Sequence, residues 1–131
     1  MHIELDEQKS CLTSTWQQHP SSEELRRHLL IIADLIQQHR CRYWLSDAHS
    51  LYYVELADQN WLVREVLTRI HPTVKKIARI LTKESLLLLD MQHIFDKIAT
   101  QPQLVASGMQ IETFLDKESA IVWLSQHEEE A

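Results

Sequence analysis

Asp47, Tyr52, Tyr53, Asp58 and Trp61 are the residues whose types and spacing could act together: two carboxylates among three aromatic rings in one short stretch. They would make a shallow pocket with aromatic walls and acidic groups. Asp47 follows an apolar run, Tyr43-Trp44-Leu45, that reads as a central strand, and ligands of open α/β sheets gather at the carboxyl ends of such strands. The same aspartate suits a structural role better, accepting loop N–H groups and turning the chain. Asp58 stands where a helix should begin, either as its N-cap or as a fixed negative charge at the positive end of the dipole. An enzyme built on Asp47 and a nearby histidine is a third reading. It predicts that Asp47→Asn changes an activity without changing stability.

No catalytic set forms around these residues. Ser46, Ser50 or Ser85 would need a positioned base and an oxyanion hole to act as nucleophiles. The nucleophile elbow and the phosphate-cradling loops all need several glycines at fixed spacing, and the chain has one, Gly108. The eight histidines contain no HxH, HxxxH or HExxH pair, so no metal site is expected. Cys11 and Cys41 lack a CxxC partner and read as reduced, small hydrophobes. Glu23-Glu24 suits a helix start. Trp16, Trp44, Trp61 and Trp123 fall on core-facing positions. No cofactor is expected.

A net charge of −6 over 131 residues disfavours nucleic acid, where affinity comes from clustered Lys and Arg; Arg26-Arg27 and Lys75-Lys76 are too short to make a basic stripe. The first residues carry neither a basic region nor an apolar secretion core. Apolar runs such as Leu29 to Ala33 are far too short to cross a bilayer. These features point to a cytoplasmic protein without membrane insertion, a single domain over 1–131 whose last residues, about 126–131, form a frayed acidic tail.

The elements that would position the candidate residues follow from periodicity. Ile3 and Leu5 alternate with polar residues, as do Leu12, Ser14 and Trp16; a short turn joins these two strands as a hairpin. Ser21 with Glu24 fits a capping box before a helix carrying Leu25, Leu29, Ile32, Ala33 and Ile36. After the strand at Tyr43-Trp44-Leu45 and an irregular stretch, a helix begins between Glu55 and Asp58 and ends at His71-Pro72. Residues 76–81 read as a strand, and Leu86 to Ile98 as a helix with Leu86, Leu87, Met91, Ile94, Phe95 and Ile98 inward, capped by Thr82 or Ser85. Gln101 to Gly108 reads as a polar connection. Met109 to Leu115 is the last strand, and Asp116 caps a final helix. The order β-β-α-β-α-β-α-β-α makes an α/β fold: a mostly parallel sheet of about five strands, flanked by helices, with one antiparallel N-terminal edge strand.

Four segments in this order resemble the STAS superfamily, which includes the anti-sigma-factor antagonists, and its small stand-alone bacterial members above all. They are Tyr43-Trp44-Leu45-Ser46-Asp47, Asp58-Gln59-Asn60-Trp61-Leu62, Lys75-Lys76-Ile77-Ala78, and the closing run from Phe114 to Leu124. The resemblance implies a binding role without catalysis. It also implies a switch by phosphorylation of a Ser or Thr at the start of the second helix. Ala57-Asp58-Gln59-Asn60 has no hydroxyl there, and Asp58 supplies a charge where the phosphate would stand. Two functions are therefore expected as alternatives. One is a signalling module that binds a protein partner or itself, as a homodimer, through a sheet edge or helix face. The other is a carrier of a small apolar ligand or lipid, as in the CRAL-TRIO proteins related to this fold, with residues 51–54 walling the pocket.

Overall fold

Local chemistry sets the element boundaries. The computed structural model describes residues 1–88 and 91–126, without the side chains of 86–88, 91 and 92. Strands β1 (His2–Asp6) and β2 (Cys11–Thr15) form the expected hairpin. Helix α1 (Ser22–His39) opens on the complete capping box of Ser21 and Glu24 and closes on Arg40, which takes the left-handed conformation at φ 52°. Strand β3 (Tyr43–Asp47) is followed by irregular chain and then by α2 (Leu56–Trp61), a π-helical segment (Leu62–Leu67) and α3 (Thr68–Ile70), ending before Pro72. After β4 (Lys76–Ile80) come α4 (Lys83–Leu88), α5 (Met91–Ala99) and α6 (Pro102–Ser107), then β5 (Gln110–Phe114) and α7 (Lys117–Ser125). Asp116 caps α7 by accepting the Ser119 N–H at 2.8 Å.

The five strands lie in the order β1-β2-β3-β4-β5, with β1 antiparallel to β2 and every later pair parallel. This is the α/β architecture expected. Each crossover steps to the next strand in the same direction. Right-handed crossovers that never reverse lay all their helices on one face. The larger core accordingly joins Leu12, Trp16, Trp44 and Ile77 of the sheet to residues of α1, the π segment, α5 and α6. Among the described residues the opposite face has only α7, whose Ala120 and Leu124 cover Leu45, Ala78 and Ile80.

Helix α7 is pinned from below. Lys76, at the base of β4, is buried, and its Nζ donates to the carbonyls of Trp123 (3.0 Å) and Gln126 (3.2 Å). The ammonium also lies 5.0 Å from the centre of the Trp123 ring. A cation at a helix C-terminus meets the negative end of the dipole.

Several local expectations are corrected. The helix expected over Leu86 to Ile98 starts at Lys83, because Thr82 Oγ1 accepts the Ser85 N–H and begins the turn earlier. Phe95 is 42% exposed, not inward. The stretch taken as a polar connection is helix α6: Pro102 presets its first turn, Leu104 anchors it in the core, and Gly108 ends it at φ 72°. Leu5 is exposed, and Trp61 and Trp123 are only half-buried. The inward placement expected for Leu86, Leu87 and Met91, and the acidic run Glu128-Glu129-Glu130, lie outside the described residues.

Candidate functional site

Asp47, Tyr52, Tyr53, Asp58 and Trp61 do not meet in one pocket. Alternation along β3 puts Asp47 on the same face as Leu45, the face that α7 covers. Its Oδ1 lies 2.5 Å from His49 Nδ1 and 3.3 Å from the His49 backbone nitrogen. The carboxylate therefore turns the chain out of the strand, and it also orients an imidazole that is half-exposed. An oriented imidazole can act as a base. Among the described residues no Ser, Thr or Cys hydrogen-bonds that ring.

Asp58 sits on the other side of the sheet and is almost fully buried. Its Oδ2 accepts from Ser22 Oγ at 2.6 Å and its Oδ1 from Arg26 Nε at 2.8 Å. The guanidinium of Arg26 lies 5.2 Å from the Trp61 ring centre. The N-cap reading is thereby corrected: Glu55 holds the cap position of α2, without a side-chain bond, and the Asp58 carboxylate points inward to clamp α2 against α1. Its charge is met by Arg26 and is not displayed to solvent.

Tyr52 and Tyr53 are about half-exposed and gather on His19, with ring centres 5.6 and 4.5 Å away. The Tyr52 backbone N–H donates to His19 Nδ1 at 3.2 Å, which places the imidazole proton on Nε2. Tyr53 and Asp58 share one cleft of about 370 Å³ with His19, Ser22 and Glu55. Asp47 and Trp61 are not among its walls.

There are two further concavities: the first takes Leu51 and Val54, but not Tyr52 and Tyr53, from the stretch expected to wall an apolar pocket, and the second was not anticipated. Between the sheet and the helical layer lies a cavity of about 70 Å³, walled by Trp16, Trp44, Leu29 and Ile94, with Ser46, Asp58 and Arg79 as polar groups. Burial lowers the Arg79 guanidinium to about 10, so it remains a cation at neutral pH. On the opposite face, an open groove of about 1070 Å³ runs beside α7. Its floor is Cys11, Thr13 and Tyr43, its outer rim is Glu4 and Asp6 of β1, and its wall is Lys117 and Ile121. Burial raises the thiols of both Cys11 and Cys41 above their ordinary value.

The His49 partner of Asp47 was within reach of the sequence, two positions on at a strand end. Arg26 was not, since 32 residues separate it from Asp58 and no local pattern links them. The groove follows from topology: only after all helices but the last are assigned to one face does the bare half of the other appear. Among the described residues no group of His, Cys, Asp and Glu is placed to hold a metal, and no helix is long and apolar enough to cross a membrane. Comparison of the chain with protein families, with curated proteins and with solved structures finds no match.

Proposed function

We propose that this chain is a non-enzymatic protein-interaction module, a cytoplasmic regulatory domain of the STAS kind without a phosphorylatable residue at its second helix, and that it docks through the open sheet face beside α7. One observation carries the reading. Helix α7 covers β3 to β5 and leaves the β1–β2 half of that face as a groove. Ile121 on its wall is 41% exposed, and Val122 on the outer side of α7 is 61% exposed. Contiguous apolar surface next to a concave face is characteristic of an interaction site. No described Ser, Thr or Cys hydrogen-bonds the ring of the Asp47–His49 pair, which supports binding over a nucleophile–histidine–aspartate enzyme.

The test uses wild type, Thr13→Arg on the groove floor and Tyr53→Ala on the helical side, each checked by circular dichroism. Light scattering after size exclusion and bait pull-downs are run on all three. A self-associated mass or a retained protein should appear with wild type and Tyr53→Ala and vanish with Thr13→Arg. A strict monomer that retains nothing refutes the proposal, as does binding lost only with Tyr53→Ala.

The cavity beneath Trp44 favours a second reading, a carrier of a small apolar ligand. At about 70 Å³ it admits only a few heavy atoms, well below the roughly 300 Å³ of an ordinary ligand pocket. A lipid would require the helices to part. Native mass spectrometry of gently purified protein should reveal a bound small molecule; a bare polypeptide mass, with no melting shift on adding short-chain acids or alcohols, removes this reading.

A further inference from the structure

We propose that the cavity between the sheet and the helical layer is a site for a short-chain monocarboxylate, an inference that rests on the carrier reading above and names its ligand class. The apolar tail lies against Trp16, Leu29 and Ile94, and the carboxylate meets Ser46 and Arg79.

Strand register puts those two polar groups together. Ser46 of β3 pairs with Arg79 of β4, as Trp44 pairs with Ile77 two residues earlier. Side chains two apart share a face, and neighbouring strands are about 4.8 Å apart. Trp44 and Ile77 belong to the larger core, so Ser46 and Arg79 look toward the same helices. Ser14, next across the sheet from Ser46, is already engaged: its hydroxyl accepts the Trp44 indole N–H at 2.9 Å. Ser46 is 8% exposed, and its hydroxyl hydrogen-bonds no described residue. A buried hydroxyl without a partner is costly, and this one lines a cavity that also holds a cation.

The rest of the lining fixes the ligand's size and sign. A volume of about 70 Å³ takes about five heavy atoms, at the roughly 10–15 Å³ that one water-sized group needs. Leu29 and Ile94 offer water no partner but give an alkyl chain good contact. Asp58 also lines the cavity, with its oxygens accepting from Ser22 and Arg26. A guanidinium has five N–H donors and pairs with a carboxylate in a fork, so Arg79 can take the ligand alongside other acceptors. Phe95 lines the same cavity and is 42% exposed, which opens a way in beside α5.

Nuclear magnetic resonance titrations with propionate and with 1-butanol, a neutral molecule of about the same size, test the site at constant ionic strength. The indole N–H signals of Trp16 and Trp44 should move saturably with propionate, with a Kd in the millimolar range. Trp123, on the other side of the sheet, should stay still. 1-Butanol should bind at least about tenfold more weakly. Ser46→Ala should weaken propionate about fivefold, and Arg79→Gln should bring it down to the level of the alcohol. The two probes on wild type decide the matter even if Arg79→Gln does not fold. Equal binding of the two probes, or propionate binding that neither variant weakens, overturns the carboxylate inference and leaves the carrier reading standing. Movement of Trp123 in step with the other indoles is surface binding and overturns it too. No movement of Trp16 or Trp44 with either probe removes both.

Discussion

Replacing Lys76 by Met should loosen α7 without disturbing the larger core. Lys76 is 5% exposed, and its Nζ makes two hydrogen bonds to carbonyls near the end of α7, at 3.0 and 3.2 Å. Hydrogen bonds to a charged group contribute roughly 1.5–3 kcal/mol each. The dipole and the Trp123 ring add about 1 kcal/mol together. Against this, Met keeps the aliphatic contacts and avoids the several kcal/mol needed to take an ammonium out of water. The balance is a net loss of about 2 kcal/mol, which at this chain length lowers Tm by roughly 6–10 °C. Urea unfolding monitored by tryptophan fluorescence measures it, since Trp123 lies beside the substituted residue. Lys75→Met, next to it in sequence, is the control and should cost under about 0.5 kcal/mol. Equal effects of the two substitutions, or a stabilised Lys76→Met, would refute the pinning argument.

Other consequences can be measured alongside. Arg40 holds a left-handed conformation at φ 52° with a side chain; Arg40→Gly should raise stability by about 0.5–1 kcal/mol in urea titration. Gly108→Ala should cost about 1 kcal/mol from backbone strain alone, since an added Cβ meets nothing within 4 Å, and Gly108→Asn should cost less. The Ser119 backbone and hydroxyl hold the Asp116 carboxyl below its ordinary value of 3.8. Its contribution to stability is therefore complete above that value and lost as pH falls through the lower folded one. Urea midpoints of wild type and Asp116→Ala should differ at pH 6 and converge below pH 3.8. Both thiols should react slowly with a disulfide reagent at pH 8, Cys41 more slowly than Cys11, because burial disfavours the thiolate and Cys41 is 2% exposed.

The strand and helix plan was legible in the sequence because it rests on signals that local geometry obeys. Ser21 and Glu24 could satisfy each other's backbone only at a helix start, and Asp116 stood before a run of helix formers. Leu12, Ser14 and Trp16 alternate as a strand with one face in the core must. Residues 101–108 misled for an equally physical reason. A six-residue helix with a single buried anchor, Leu104, carries too little apolar periodicity to rise above its polar neighbours. The candidate site was the less legible part. Proximity in sequence suggested that Asp47 and Asp58 share a pocket, yet the pleat of β3 sends Asp47 to one side of the sheet and α2 holds Asp58 on the other. Asp58 was read as a cap because aspartate is common there; its real partner, Arg26, belongs to another helix. The carboxyl-edge crevice invoked for Asp47 requires a reversal of strand order, and the order β1-β2-β3-β4-β5 has none.

The division into two cores has a consequence for how the chain is made. Leu45, Ala78 and Ile80 are complete in the first eighty residues, but what shields them, Ala120 and Leu124, comes forty residues later. The helical side can consolidate while the reverse of the sheet is still bare. A ribosome stalled between β4 and α7, or a truncation before Lys117, would leave a half-dressed sheet whose apolar centre is open to any passing strand or chaperone. Timely emergence of nine residues decides whether that intermediate matures or aggregates.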